Sequence, residues 1–454
     1  MKIIRVFPFF IQNLLISLYN TYLYRVRHGG KYKEFFSYHS EKLNSKILDS
    51  NDAEVKLKDF LTFSVQNSSW YSACENFVSI KSFPILTKSD LVENLPEIKT
   101  LKENDGIVSL TGGTTGASMK VIYTKSDMQE RFAILDAYRA QFGYQLGKRT
   151  AWFSGKNLAT EKDIIKGRCY KDDWINKIRF FSTFHICEKN FEIYWDAFNK
   201  LDPEFIVGFP SSVYELCSIA LSKGYVYKGN VQCFFPTAET VLPHHREVIT
   251  KVLGCNIKDQ YASSEGAPFI LECEYGNKHL YPLSGCFEVV DDDMNPSNEG
   301  EMLVTSFTTH GTPLIRYKIG DKIKLADSLT KCNCLSPFPI VENIQGRNSD
   351  FLYSYDQVKV NLGNISNSTK DISGIICFQI IQNTLEEVNV YVVATDSFDT
   401  KQQSKFTKAL QERLGSNMMI NIKIVADIAK EKSGKFRIVK NNVELNHQVN
   451  DSRY

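Results

Sequence analysis

Hydrophobic and polar positions repeat on two different periods along this chain, and the changes of period divide it into regions. Over the first hundred residues the pattern is mostly helical. It closes at Phe83-Pro84-Ile85-Leu86-Thr87, where Thr87 or Ser89 is placed to cap the next helix. The short apolar run Ile107-Val108-Ser109-Leu110 predicts a strand that empties at once into a Gly/Thr loop. From there to about Phe307, runs such as Phe205-Ile206-Val207 and Cys233-Phe234-Phe235 alternate with helical patterns such as Ser211 to Lys223. That alternation predicts an α/β body. Gly300 to Lys324 reads as strands, with Met302, Leu303 and Val304, then Leu314, Ile315 and Tyr317.

Beyond Gly346-Arg347 comes a polar stretch with Asn361, Asn364, Asn367 and Ser368. Two strand patterns follow, Ile375 to Ile381 and Val388 to Val393. A helix then places Phe406, Leu410 and Leu414 on one face, and a last strand alternates Ile420, Ile422 and Ile424. Strand, strand, helix, strand is a small α+β module able to fold as a separate lid. The predicted organisation is a large multi-layer α/β nucleotide-binding domain over 1–346, its first hundred residues helical, and a small mobile α+β domain over 347–454.

Composition narrows the picture only modestly. The 454 residues carry 54 Lys plus Arg against 52 Asp plus Glu, and 43% are hydrophobic. Wholesale disorder is excluded, and so is the broadly basic face that non-specific nucleic-acid binding needs. Eleven cysteines form an odd set from Cys74 to Cys377 without the density of a small secreted framework, so reduced thiols in the cytoplasm are the expectation. The N-terminus mixes basic and apolar residues, but Gln12, Asn13 and Asn20 interrupt it and no small-residue cleavage site follows. It falls short of the ~18 clean apolar residues of a membrane span. Two readings remain: a helix docked on the body, or one lying in a membrane surface. Docking is favoured, because scattered apolar helical positions usually pack into a core.

The segment richest in chemistry is Ser109-Leu-Thr-Gly-Gly-Thr-Thr-Gly-Ala-Ser-Met-Lys120. Glycines let a backbone approach closely and point N–H groups inward, and threonine hydroxyls add donors, as a phosphate cradle requires. No Gly-Lys-Ser/Thr follows at Walker A spacing, and taken alone the loop reads as readily as an ordinary turn. Four further segments follow in order: Pro236-Thr-Ala238-Glu239, Asp259-Gln-Tyr261-Ala-Ser-Ser264-Glu265-Gly266, Arg316-Tyr-Lys-Ile-Gly-Asp321 and Gly346-Arg347-Asn-Ser-Asp350. Lys432-Ser-Gly-Lys435 lies near the end.

This ordered set resembles the adenylate-forming superfamily of acyl-CoA synthetases. Within it the chain is similar to the phenylacetate–CoA ligase branch and most to the CapK group, also called coenzyme F390 synthetase-like. Gln12 to Tyr19, Gly29 to Glu34 and Gly208-Phe-Pro-Ser-Ser-Val-Tyr214 share that likeness, which covers nearly the whole chain. The resemblance implies that Thr111, Gly112, Gly113, Thr114, Thr115 and Gly116 wrap the ATP phosphates, with Thr114 among the catalytic residues. Glu265, preceded by Ser264, would ligate Mg2+. Tyr261 would offer adenine an aromatic face, with Ala238 and Glu239 along the base's edge. Asp321 would accept from the ribose hydroxyls, and Arg347 would reach ribose or phosphate. Asp350 sits at the hinge position. Lys435 would swing in on the lid to stabilise charge between carboxylate and α-phosphate. The usual Pro-Lys after the loop's last Gly-x is absent; Lys120 is displaced by one and takes no phosphate role.

Cys273, His279, Cys332 and Cys334 make a Cys3His set suited to a closed tetrahedral zinc site. Their spacing is not that of a standard finger, and on spacing alone they read as unligated side chains. The resemblance implies structural zinc there, because the branch often carries a Cys…Gly-x-His segment and a Cys-x-Cys.

The function implied is activation of a small-molecule carboxylate by ATP to an acyl-adenylate. Transfer to the thiol of CoA, or to an amine or hydroxyl, follows. CapK-like proteins are associated with surface-polysaccharide biosynthesis. The competing readings are an amide- or ester-forming transferase that never uses CoA and a non-catalytic nucleotide-binding scaffold. An acyl pocket is expected between Phe184-His185, the helix after Pro210 and the stretch after Glu265. Peripheral membrane contact stays open through the N-terminal segment.

Overall fold

The computed structural model describes residues 7–45, 50–112, 118–154, 158–239, 241, 243–345, 351–361, 365, 367–369, 371–394, 396–426, 428 and 438–443. The fold is mixed α/β, in two compact units, one from residues within 1–111 and 119–348, the other chiefly from 349–454.

The first unit opens with helices Phe9–Arg27, Tyr32–Asn44 and Ser50–Asn67. Of the two residues placed to cap the next helix, Thr87 is the one that does so: it forms a reciprocal capping box with Asp90. A six-stranded sheet follows in the order Tyr170–Asp173, Ile178–Ser182, Thr150–Ser154, Phe205–Gly208, Cys233–Pro236, Asn256–Ile257. Its first pair is antiparallel and the rest are parallel. The strand Phe205–Gly208 shows why continuous apolar runs were expected there. Ile206 packs with Phe234 toward the helices Phe191–Leu201 and Pro210–Ser222, while Phe205 and Val207 pack with Tyr138 on the other face. A strand covered on both sides needs apolar residues at every position.

The helix Lys125–Ala140 lies between this sheet and a second, antiparallel one of seven strands. The second sheet runs Gly285–Val290, Glu299–Ser306, Tyr317–Leu325, Ile340–Gln345, Lys278–Leu280, Ile270–Glu272, Gln260–Tyr261. Leu314 and Ile315 were expected in a strand. They are fully buried but sit in the turn before Tyr317, where Arg316 takes φ 48°. Their apolar character records burial in a turn, which periodicity cannot separate from a strand.

The second unit holds the two-stranded sheet of Phe351–Tyr353 and Lys359–Asn361 and a four-stranded sheet. The latter is ordered Met419–Ile424, Glu387–Ala394, Ile375–Gln382, Val439–Asn441. The helix Thr400–Leu414 buries Phe406, Leu410 and Leu414 against it, as their four-residue spacing predicts.

Candidate active site and candidate metal centre

In an open parallel sheet, functional loops leave the carboxyl ends of the strands. Pro236 ends the strand Cys233–Pro236, and the next residues are Thr237, Ala238 and Glu239. Ala238 holds φ 65°, an unusual conformation for a residue with a Cβ. The Glu239 carboxylate accepts from the Ser211 N–H at 3.1 Å, at the start of the helix Pro210–Ser222, where the helix dipole favours negative charge.

The turn Ser263–Ala267 carries Glu265 and is stapled by side chains from outside its own segment. The Ser264 carbonyl accepts from Ser109 Oγ at 3.1 Å and from Tyr123 Oη at 3.0 Å. Arg131 donates to the carbonyls of Gly266 (2.9 Å), Ala267 (3.2 Å) and Ser263 (3.4 Å), and to Thr308 Oγ1 (3.0 Å). Its guanidinium also lies 4.8 Å from the Phe269 ring centroid. Burial pushes the Tyr123 phenol up to about 12, so it stays a hydrogen-bond donor. Gly266 takes φ 104°, and a Cβ there would lie 2.6 Å from Thr309 Cγ2 and 2.7 Å from Tyr123 Oη. Glu265 is half-buried on this fixed turn. Beside it is a cavity of about 220 Å3 lined by Tyr123, Met128, Phe132, Leu135 and Phe269, with Ser109 and Ser264 at its polar side.

Tyr261 Oη donates to Asp321 Oδ2 at 2.7 Å, joining two of the expected nucleotide-binding residues. Their strands stand seventh and third in the sheet order. Four spacings of ~4.8 Å in a flat sheet would hold them roughly 19 Å apart, beyond the reach of a phenol and a carboxylate. The sheet therefore curls, and the curl brings two distant motifs together.

Ser264, Tyr261 and Asp321 are thus held by defined contacts, Glu265 follows Ser264 on the stapled turn, and Ala238 and Glu239 lie at a strand's carboxyl end. Thr111 and Gly112 end the strand Ile107–Gly112. Gly113, Thr114, Thr115, Gly116, Arg347, Asp350 and Lys435 lie outside the described residues. Lys120 pairs with Glu103 at 2.8 and 2.9 Å, in keeping with its having no phosphate role. Of the regions expected to line an acyl pocket, the stretch after Glu265 gives Phe269 to the cavity. Phe184 and His185 are outside its lining, His185 lying 3.2 Å from the Ser182 hydroxyl. Arg131 and Tyr123 had escaped notice. In Glu130-Arg131 two adjacent charges on a helix read as solvated, and nothing local marks both as buried.

The four side chains expected to hold zinc come together. A tight turn after the strand Ile270–Glu272 returns the chain into Lys278–Leu280, bringing Cys273 beside His279. His279 pairs with Ile340, so the loop before Ile340 delivers Cys332 and Cys334. All four ligand atoms lie within 4.8 Å of one another. Cys273 and Cys332 sulfurs are 3.6 Å apart, and Cys334 Sγ is 3.4 Å from His279 Nε2. Tetrahedral zinc with Zn–S of about 2.3 Å demands S···S near 3.8 Å, so the set fits that ion. His279 Nδ1 lies 2.9 Å from the Phe338 carbonyl, which directs Nε2 at the cluster. Burial works to raise Cys332, but donors from Cys334 N–H and the Asn277 amide hold its thiol below the usual range. Burial pushes the Cys334 thiol up to about 12.

Residues 352–442 match the family model described as the CapK C-terminal domain. The chain is also 30% identical to Protein CapK of Staphylococcus aureus over 454 residues, covering 96% of this chain and 98% of that protein. The chain belongs to the CapK family. Among solved structures, this CapK-family chain is similar to 2-hydroxyisobutyryl-CoA ligase in complex with 2-HIB-AMP and CoA in the thioesterification state. The TM-score is 0.56 at 17% identity, over 88% of this chain and 91% of that one. An open conformation of the same ligase gives 0.51 at 16% identity, over 85% and 90%. The CapK-family chain therefore shares the fold of an adenylate-forming CoA ligase.

Proposed function

We propose that this CapK-family protein activates a small carboxylic acid with ATP and passes the acyl group to a second nucleophile. A carboxylate oxygen attacks the α-phosphorus, a C–O–P anhydride forms, and pyrophosphate leaves. The thiol of CoA, or an amine or hydroxyl, then attacks the acyl carbon and AMP leaves. The observation that carries this reading is the turn holding Glu265. Three outside side chains (Ser109, Tyr123 and Arg131) fix it beside a mostly apolar cleft. A carboxylate carried on a fixed turn next to an apolar acyl-sized space suits a metal-nucleotide site abutting an acid site.

Glu265 and Ser264 would face the nucleotide, with Mg2+ on Glu265 neutralising phosphate charge. Tyr261, Ala238 and Glu239 would surround adenine, Asp321 the ribose, and the Thr111–Gly116 loop the phosphates, with Thr114 catalytic. Arg347 would reach ribose or phosphate. Lys435, on a mobile domain over 347–454, would stabilise the charge developing at the α-phosphate. Zn2+ on Cys273, His279, Cys332 and Cys334 would be structural, because four protein ligands leave no open position. A place in cytoplasmic surface-polysaccharide biosynthesis rests on the group's associations alone.

The test is carboxylate-dependent ATP–pyrophosphate exchange over a panel of acids. Exchange with at least one acid, abolished by Glu265→Ala and Lys435→Ala, is the expected result. ATP binding with no exchange for any acid would overturn the reading, and full exchange by Lys435→Ala would remove that residue's role.

A further inference from the structure

The helix Phe9–Arg27 docks as expected, but through its polar side. Tyr170–Asp173 is an edge strand, and an edge presents unpaired backbone groups. Asn13, Ser17 and Asn20 answer that edge on successive turns. The Asp172 N–H donates to Asn13 Oδ1 at 3.3 Å, the Trp174 N–H to Ser17 Oγ at 2.9 Å, and Asn20 Nδ2 donates to Asp173 Oδ2 at 2.9 Å. With these polar positions turned in, a stripe of apolar ones turns out. Phe10, Leu14, Leu18 and Tyr22, spaced by four, are 61, 44, 54 and 64% exposed. The adjoining hairpin turn adds Trp174 and Ile175, each about half exposed. A helix that only covered the body would show the reverse arrangement, and a contiguous exposed apolar face marks an interaction surface.

Charge identifies the partner. The first 33 residues hold six basic side chains and no acidic one. The acidic groups packed against the helix are occupied: Asp172 by Arg179 at 2.7 Å, Asp173 by Asn20 and Asn176, and Asp136 by His28 and Tyr32. A second copy seated symmetrically on this face would set basic residues against basic ones. Among the described residues no helix is long and apolar enough to cross a membrane. We propose that this face docks on an anionic lipid bilayer, the helix lying in the interface. Phe10, Leu14 and Leu18 enter the acyl boundary, Tyr22 and Trp174 sit at headgroup depth, and Arg25 meets lipid phosphates. The helix is also tied to the cavity helix Lys125–Ala140. Gln129 donates to the Val26 carbonyl at 3.2 Å, and Arg27 lies 4.5 Å from the Phe132 ring centroid. The docked face is therefore rigidly joined to the wall of the cavity.

The test is sedimentation of the full chain with vesicles of phosphatidylcholine alone and of an equal mixture with phosphatidylglycerol. The expected result is binding to the mixed vesicles about tenfold tighter than to the neutral ones and weakened by salt. Leu14→Glu/Leu18→Glu should lose about tenfold in that binding while keeping the wild-type monomer mass and unfolding midpoint. Should that pair fail to fold, Trp174→Glu on the hairpin turn is the second variant, with the same expectation. Wild-type protein that stays in the supernatant with both vesicles overturns the proposal. So does a dimer that the double variant splits, which would assign the face to a second copy, and so does undiminished vesicle binding by both variants.

Discussion

The phenol of Tyr261 donates a 2.7 Å hydrogen bond to Asp321, joining residues sixty positions apart on strands separated by three others in sheet order. This bond holds the carboxylate in the orientation proposed to receive a ribose. Tyr261→Phe keeps the ring and removes the donor. The expected outcome in steady-state exchange kinetics is a KM for ATP raised about three- to tenfold, the loss of roughly 1 kcal/mol, with kcat changed less than about twofold. Asp321→Asn should raise KM as well, since it weakens the same acceptor.

Arg131 is the staple of the Glu265 turn. Its replacement by Met takes the Arg131 donors from the buried carbonyls of Gly266 and Ala267. A loss of about 3–5 kcal/mol is expected in denaturant unfolding, because a buried hydrogen-bonded cation is removed and its acceptors stay behind. Arg131→Lys keeps the charge but not the fork of donors, and should fall between.

Gly266→Ala meets three obstacles, the positive φ of 104°, Thr309 Cγ2 at 2.6 Å and Tyr123 Oη at 2.7 Å. A cost of about 1–3 kcal/mol is expected in thermal or denaturant unfolding. Adding Thr309→Ser removes the methyl contact and leaves the dihedral strain and the Tyr123 contact, so the double variant should recover only part of the loss.

For the Cys3His cluster, metal analysis of purified protein should find one zinc per chain, and less in Cys332→Ser. A strong chelator should lower the unfolding midpoint of the wild type and change the variant little. Zinc ligands must be deprotonated, so retention should fall as pH falls.

Glu130 supplies a pH dependence away from the site. Burial works to raise its pKa, but the hydrogen bond from His39 and the charge of Lys56 outweigh it and hold the carboxyl down to about 2, against an ordinary 4.5. A depressed folded pKa means stability present above about 4.5 and lost as pH falls toward 2, at most about 3 kcal/mol. Unfolding midpoints of wild type and Glu130→Gln should differ most near pH 6 and converge on acidification. Burial lowers His39, whose own contribution is lost in the same acid direction, beginning near pH 6.5.

How much was legible in the sequence follows from where each signal resides. The apolar runs at Phe205 and Cys233 and the four-residue spacing of Phe406, Leu410 and Leu414 are local, so the α/β body and the small α+β unit could be read from them. The ordered motifs named the family and four residues now seen in fixed positions, Tyr261, Ser264, Glu265 and Asp321. The Cys3His composition, with the family resemblance, brought out the four side chains that meet. What spacing could not give was their distances, since closure depends on how a hairpin and a distant loop pair at His279 and Ile340.

Other features were decided only in three dimensions. Sequence marked Leu314 and Ile315 as strand because burial and extended structure leave the same apolar trace. It gave no sign that Glu130 and Arg131 are buried, because charge is normally exposed. It docked the N-terminal helix by its apolar positions, whereas the open edge at Tyr170–Asp173 demanded hydrogen-bonding groups and drew in Asn13, Ser17 and Asn20 instead. Local pattern records which residues shun water; the satisfaction of buried polar groups depends on partners far away in the chain, and only the folded arrangement supplies them.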